Sequence, residues 1–187
     1  MSNIQTIQTI QNNSLTFNPF QQKKKEGVVF VPGHAREYRA DCSKTEYGFN
    51  IGGRKKLGDT LEIVVLYPML FSEISILEYP TQDWVEILFL DKEKAISSLL
   101  LKTVSLDNWN AYKMEALVAG INLATVKTVC SFASYISKKY GQFWGVDFEL
   151  GEKLSEEKQN ELKDFFENNA EKLPNSFRVP QILEVYG

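Results

Sequence analysis

The stretch Glu46–Tyr67, EYGFNIGGRKKLGDTLEIVVLY, decides how this chain is read. Tyr47, Phe49 and Ile51 alternate with Glu46, Gly48 and Asn50. Leu61, Ile63, Val65 and Tyr67 alternate with Glu62, Val64 and Leu66. Period-two alternation puts each set on one face of a strand. Gly52-Gly53 stops the first run, and Arg54, Lys55 and Lys56 place three positive charges on the connection, so the segment predicts a hairpin with a basic tip. Strand aromatics beside a cationic rim supply flat surfaces for bases and charge for phosphates, which is what a single-stranded nucleic acid requires. The same pattern also describes a plain hairpin whose aromatics face the core.

Strand signals continue on both sides of this segment. Upstream, Val28 to Val31 is a short apolar run stopped by Pro32-Gly33. From Arg36 to Ser43, Tyr38, Ala40 and Cys42 alternate with Glu37, Arg39 and Asp41. Downstream, the apolar residues Met69 to Leu77 carry no clear period. Trp84 to Leu90 sets Val85, Ile87 and Phe89 against Trp84, Glu86 and Leu88, and Ile96 to Val104 extends the sheet. Ser105 or Asp107 is placed to cap a helix with Leu106, Trp109, Lys113, Ala116 and Leu117 near one face and Gly120 at its end. Strand alternation returns at Val126, Thr128, Cys130 and Phe132. Lys138-Lys139-Tyr140-Gly141 reads as a basic turn before Trp144, Val146, Phe148 and Leu150. A last helix opens at Ser155 with Glu156 and Glu157 in its first turn and stops before Pro174. Its Leu162, Phe165, Phe166 and Leu173 form an apolar stripe.

Three regions follow. Residues 1–22 are a polar arm with a short IQTIQTIQ echo, residues 23–150 are a β-rich domain, and residues 151–187 are an acidic helix and an apolar tail. Strands predominate, with one helix between an earlier and a later group. The expected fold is therefore mainly β with two helices: a Greek-key barrel of the oligonucleotide-binding type with an internal and a C-terminal helix. An α+β sheet with both helices on one face is the alternative.

With 187 residues, 43% apolar and 12% aromatic, the chain has enough for one domain with a real core. No apolar run approaches the roughly 18 residues of a membrane helix, and the first residues do not follow a secretory-signal layout, so cytoplasmic residence is the expectation. Cys42 and Cys130 are read as reduced core thiols. The net charge of −3 hides an uneven distribution. Residues 21–60 hold nine basic side chains against five acidic ones, and residues 151–172 hold seven acids against four lysines. A local basic patch can still attract phosphate, because charges more than about 8 Å away are screened at physiological salt.

Catalytic chemistry is not written in this sequence. His34, the single histidine, lies in a turn-like PGHAR. One histidine and two distant cysteines do not make a zinc site of the usual kinds. Neither a GxxxxGK[ST] phosphate loop nor a GxSxG elbow is present. The reading is of a non-enzymatic binding protein with no catalytic or metal residues and no cofactor.

The chain resembles the single-stranded DNA-binding-like proteins of phages, plasmids and some bacterial mobile elements. The likeness runs through EYRADCSK (Glu37–Lys44), YGFNIGGRKKLGDTLEIVVL, VKTVCSFASYISKKYGQFWGVDFEL (Val126–Leu150) and the acidic helix, from about Tyr38 to Leu173. It implies an oligonucleotide-binding fold and sequence-tolerant binding of single-stranded DNA or RNA. Bacterial housekeeping proteins of this function end in an acidic tip finishing in Phe. This chain reads LEVYG instead, so recruitment of repair proteins through such a tip is not implied. The phosphate-contact candidates are Arg36, Arg39, Arg54, Lys55, Lys56, Lys138 and Lys139. The stacking candidates are Tyr47, Phe49, Tyr140, Phe143 and Trp144. The competing reading is a protein-interaction or assembly module of a mobile element, forming a homo-oligomer through the C-terminal helix and tail.

Overall fold

The computed structural model describes residues 27–28, 34–76, 79–139 and 141–169. The expected strand at 28–31, Tyr140, the polar arm and the tail lie wholly or largely outside them. The described residues form one eight-stranded sheet, two α-helices and a single 3-10 turn at Leu123–Thr125. In chain order the strands and α-helices are β1 (Arg36–Cys42), β2 (Tyr47–Ile51), β3 (Lys55–Gly58), β4 (Leu61–Ile74), β5 (Gln82–Leu90), β6 (Ile96–Lys102), α1 (Thr103–Val118), β7 (Val126–Ser137), β8 (Gly141–Lys153) and α2 (Glu156–Asn169). The sheet order is β3-β2-β1-β6-β5-β4-β7-β8.

Within that order lies the expected Greek key. Strands β4, β5 and β6 follow one another as antiparallel neighbours, and β7 returns after α1 to pair antiparallel with β4. The internal helix is therefore the long connection of the key. The sheet curls until its two ends meet: Tyr47 on β2 stacks on Trp144 of β8 with ring centroids 3.8 Å apart, and Phe49 lies 4.7 Å from Phe132 of β7. The result is a half-barrel, mostly β, consistent with an oligonucleotide-binding-type barrel carrying two helices.

Helix α1 fills the concave side. Leu106, Trp109 and Tyr112 meet Val85, Ile87, Phe89, Leu99, Val146 and Phe148 in the main core. The helix starts at Thr103 rather than at Ser105 or Asp107. Ser105 does not cap it, because its Oγ accepts a hydrogen bond from the Val146 N–H at 2.9 Å. Asn108 Nδ2 donates to Val146 O at 2.8 Å and to Tyr135 Oη at 2.7 Å. These side chains satisfy the outer edge of β8, which no ninth strand pairs among the described residues. Close approach of α1 depends on Gly145, where an added Cβ would lie 2.5 Å from Val104 Cγ1. Of the face expected for this helix, Lys113 and Leu117 are exposed, and Tyr112 is buried in their place.

Helix α2 covers the convex side. Ser155 begins it as expected, with Ser155 Oγ accepting from the Lys158 N–H at 3.3 Å. Leu162 is buried against Val64, Leu88, Leu90 and Ile96, with Phe165 partly buried beside it. Burial of one such leucine contributes about 1.5–3 kcal/mol. With α1 inside, α2 outside over Leu88 and Leu90, and Ile76 against Trp84, every residue of β5 from Trp84 to Leu90 is buried, although its sequence alternates.

Two sequence expectations need correction. The runs 46–51 and 61–67 do not pair with each other. Gly52 and Gly53 take φ of +57° and +72°, the left-handed values of a tight hairpin reversal, and the Arg54 N–H donates to Ile51 O at 3.1 Å. The chain therefore turns straight into β3, so Lys55 and Lys56 are strand residues rather than a loop tip, while β4 pairs with β5 and β7. The unassigned residues after Tyr67 continue β4 to Ile74.

Strand β1 joins β6 in parallel over only three residue pairs, Arg36–Ser97, Glu37–Ser98 and Tyr38–Leu99. Asp91 reinforces this short seam. Its Oδ2 accepts from Tyr38 Oη at 3.1 Å, Ser97 Oγ at 3.0 Å and Arg36 Nη1 at 3.0 Å, and its Oδ1 accepts from the N–H groups of Glu93 and Ala95, both at 2.9 Å. Burial, with the Asp91 charge beside it, pushes the Tyr38 phenol up to about 12.

Candidate nucleic-acid interface

A cleft of about 710 Å3 opens where β1 and β2 face β8. Its volume is within the usual range for small-ligand sites. Arg39 and Asn50 line one wall and Phe143 and Trp144 the other, while Tyr79, Trp84 and Lys102 lie between them near the first turn of α1. Local sequence explains these positions. Arg39 alternates with the buried Tyr38 and so projects from the outer face of β1. Trp144 lies near the start of β8, paired with Ser134, and its ring lies on Tyr47. Tyr47 is 40% exposed, so this stacked pair keeps accessible surface at the seam.

The cations around the cleft differ in how they are held. Arg39 is ion-paired with Glu37 on its own strand, and its Nη1 lies 3.4 Å from where a Cβ on Gly53 would sit. Lys102 Nζ sits 2.8 Å from the Tyr79 ring centroid and 5.1 Å from that of Trp84. Burial pulls its ammonium down to about 8, with Cys42 opposing that shift. Lys44 reaches across the seam: its Nζ lies 3.4 Å from the Cβ position of Gly141. Lys138 and Lys139 are exposed at the reversal that leads into β8. The Asp41 carboxylate is the countervailing charge on the lining, and it accepts from the Ser43 N–H at 3.0 Å.

The twelve sequence-predicted residues therefore divide. Arg39, Phe143 and Trp144 line the cleft, and Tyr47 adjoins them through its stack. Lys138 and Lys139 flank the β8 wall. Lys56 faces a separate recess of about 110 Å3 beside Tyr47, with Nζ bridged to Glu46 at 2.9 Å. Arg36 and Lys55 lie toward the other end of β1. There Arg36 is bound to Asp91 and to Glu93 at 2.6 Å, and Lys55 pairs in register with Ile51. Arg54 is exposed at the β2–β3 turn, and Tyr140 lies outside the described residues. Phe49 is the clear correction. At 1% exposure its ring belongs to the core, where it meets Phe132, and no face remains for a base.

Sequence reading missed Tyr79, Trp84, Lys102 and Lys44 as site residues. A lysine closing the apolar run ISSLLLK was the one sequence signal for Lys102, and its register with Trp84 appears only in the fold. Among the described residues no group of three or more His, Cys, Asp or Glu could hold a metal, and no helix is long and apolar enough to cross a membrane. Cys42 and Cys130 are both free thiols, Cys130 fully buried and Cys42 half-buried on the cleft lining. No protein-family model, curated protein or solved structure matches the chain.

Proposed function

We propose that this protein binds single-stranded nucleic acid, DNA in the first instance, without catalysis and with little sequence preference. The observation that carries the reading is the cleft itself. Three aromatic side chains that keep exposed surface, Tyr79, Phe143 and Trp144, line one open groove with Arg39 and Lys102, over the buried Trp84. Ring faces stack any base, and cations follow the backbone irrespective of sequence, so the lining suits tolerant binding. The acidic helix α2 packs over Leu88, Leu90 and Ile96, at the other end of the β5–β6 ladder from Trp84 and Lys102, which line this groove.

Fluorescence anisotropy with labelled poly-dT, RNA and duplex DNA at two salt concentrations tests the proposal. Submicromolar binding to the single strand, weakening with a log–log salt slope of about −0.7 per neutralised phosphate, is the expected result. One observation favours a second reading. Met114, Leu117 and Val118, spaced for one face of α1, are 52%, 68% and 84% exposed, as in a protein-interaction module that forms oligomers. Binding through that face responds little to salt, so the same titration separates the two.

A further inference from the structure

The first turn of α1 lacks the usual capping partner. Helix N-termini leave backbone N–H groups without intrahelical acceptors, and a capping side chain normally takes one of them. Here Lys102 occupies the cap position, its side chain makes no cap bond, and no acidic residue lies in the first turn. Ser105, which could have served, is committed to Val146. Thr103 follows with φ of +49°, a left-handed conformation that a β-branched residue rarely adopts. This bend takes β6 into α1 without a connecting residue and puts Thr103, Val104 and Ser105 on the cleft lining.

Two further groups at the same place lack an anion. Trp84 is only 4% exposed and lines the cleft, yet its indole N–H has no hydrogen-bond partner among the described residues. A buried donor left unpaired is uncommon and calls for an explanation. The Lys102 ammonium, half-buried, forms no salt bridge among the described residues and rests on the Tyr79 ring. Its lowered proton affinity agrees with a desolvated charge in want of a counter-charge.

We propose that the start of α1 is a phosphate subsite of the cleft, where one phosphate takes the first-turn N–H groups and the Lys102 ammonium. Helix N-termini favour anions through these N–H groups and the positive end of the helix dipole. In moving to the phosphate, Lys102 uncovers the Tyr79 ring for the adjoining base and leaves the Trp84 N–H open to an acceptor. This subsite rests on the single-strand reading above, but its chemistry also suits inorganic phosphate, so the test carries both ligands.

Uniformly 15N-labelled protein is titrated with a dT oligomer and, separately, with inorganic phosphate. Expected are saturable shifts of the Thr103, Val104 and Ser105 amides and of the Trp84 indole N–H with the oligomer. Lys102→Met should weaken oligomer binding about tenfold, a loss in line with one hydrogen bond to a charged group, and reduce the salt slope by about 0.7. Lys102→Arg should restore most of that loss. Should the oligomer bind while these four resonances stay still, or Lys102→Met bind with unchanged affinity and slope, the subsite is overturned and the strand reading survives. With no strand binding but the same four resonances moved by inorganic phosphate, the subsite stands for small phosphates and the strand reading falls. If neither ligand moves them, the subsite is refuted.

Discussion

Replacing Asp91 by Asn tests how the cleft's β1 wall is held. The substitution keeps Oδ1, and with it the bonds from the Glu93 and Ala95 N–H groups that shape the β5–β6 turn. It exchanges Oδ2 for an amide donor facing three other donors, Tyr38 Oη, Ser97 Oγ and Arg36 Nη1. Hydrogen bonds to a charged acceptor contribute about 1.5–3 kcal/mol each, but these three are not additive. Arg36 retains Glu93 and Ser97 retains Ala95 O at 3.1 Å, while the Tyr38 hydroxyl loses its carboxylate acceptor. Breaking a buried ionic group of this kind costs about 3–5 kcal/mol. For a chain of this size that lowers Tm by roughly 6–20 °C. Urea and thermal melts of Asp91→Asn, Tyr38→Phe and Ser97→Ala measure it. The latter two remove one donor each and should lose about 1.5–3 kcal/mol, less than Asp91→Asn. A loss below 1 kcal/mol for Asp91→Asn, or one equal to that of Tyr38→Phe, would show that the network does not anchor β1.

Trp144→Ala should weaken single-strand binding by about 1–3 kcal/mol, the usual range for one stacked base, while Phe49→Ala should lower Tm by the cost of a core cavity, and anisotropy beside thermal melts separates them. Changing Arg54, Lys55 and Lys56 together to Ala should weaken binding to every homopolymer by a similar factor, and a loss confined to one base would point to base-edge readout. Intact mass after alkylation of the denatured, unreduced chain should show two labels, and none would mean a disulfide. Burial raises both thiol pKa values, Cys42 from 9.0 to about 11 and Cys130 further, so the folded chain keeps protons that the unfolded chain loses above 9. Stability therefore falls as pH rises from 9 toward 11, and Cys130→Ala should fall less steeply than the wild type in pH-dependent melts.

Alternation made β1, β2, β5, β7 and β8 legible, because a residue's face in a strand follows from its parity. Depth does not follow from parity. Tyr47 and Phe49 share a face of β2, yet the first ends at the seam and the second lies in the core. The continuation of β4 was hidden by Pro68, which usually marks a strand's edge or end, and by a register shift between Val65 and Tyr67. Pairing of β2 with β3 depended on two left-handed glycines, whose conformation composition alone does not state. The Lys102–Tyr79 contact joins residues far apart in sequence across the reversal between β5 and β6. Only the ladder that sets Trp84 opposite Lys102 makes it visible.

The seam between β2 and β8 is held by rings, Tyr47 on Trp144 and Phe49 beside Phe132, and among the described residues no backbone ladder crosses it. A barrel closed by backbone hydrogen bonds encircles what it contains and admits a polymer only by its end. A half-barrel closed by side chains can part along its length without breaking a ladder. On the proposed reading a strand would enter such a cleft sideways, so a circle or an internal gap in a duplex would be as good a target as a free terminus.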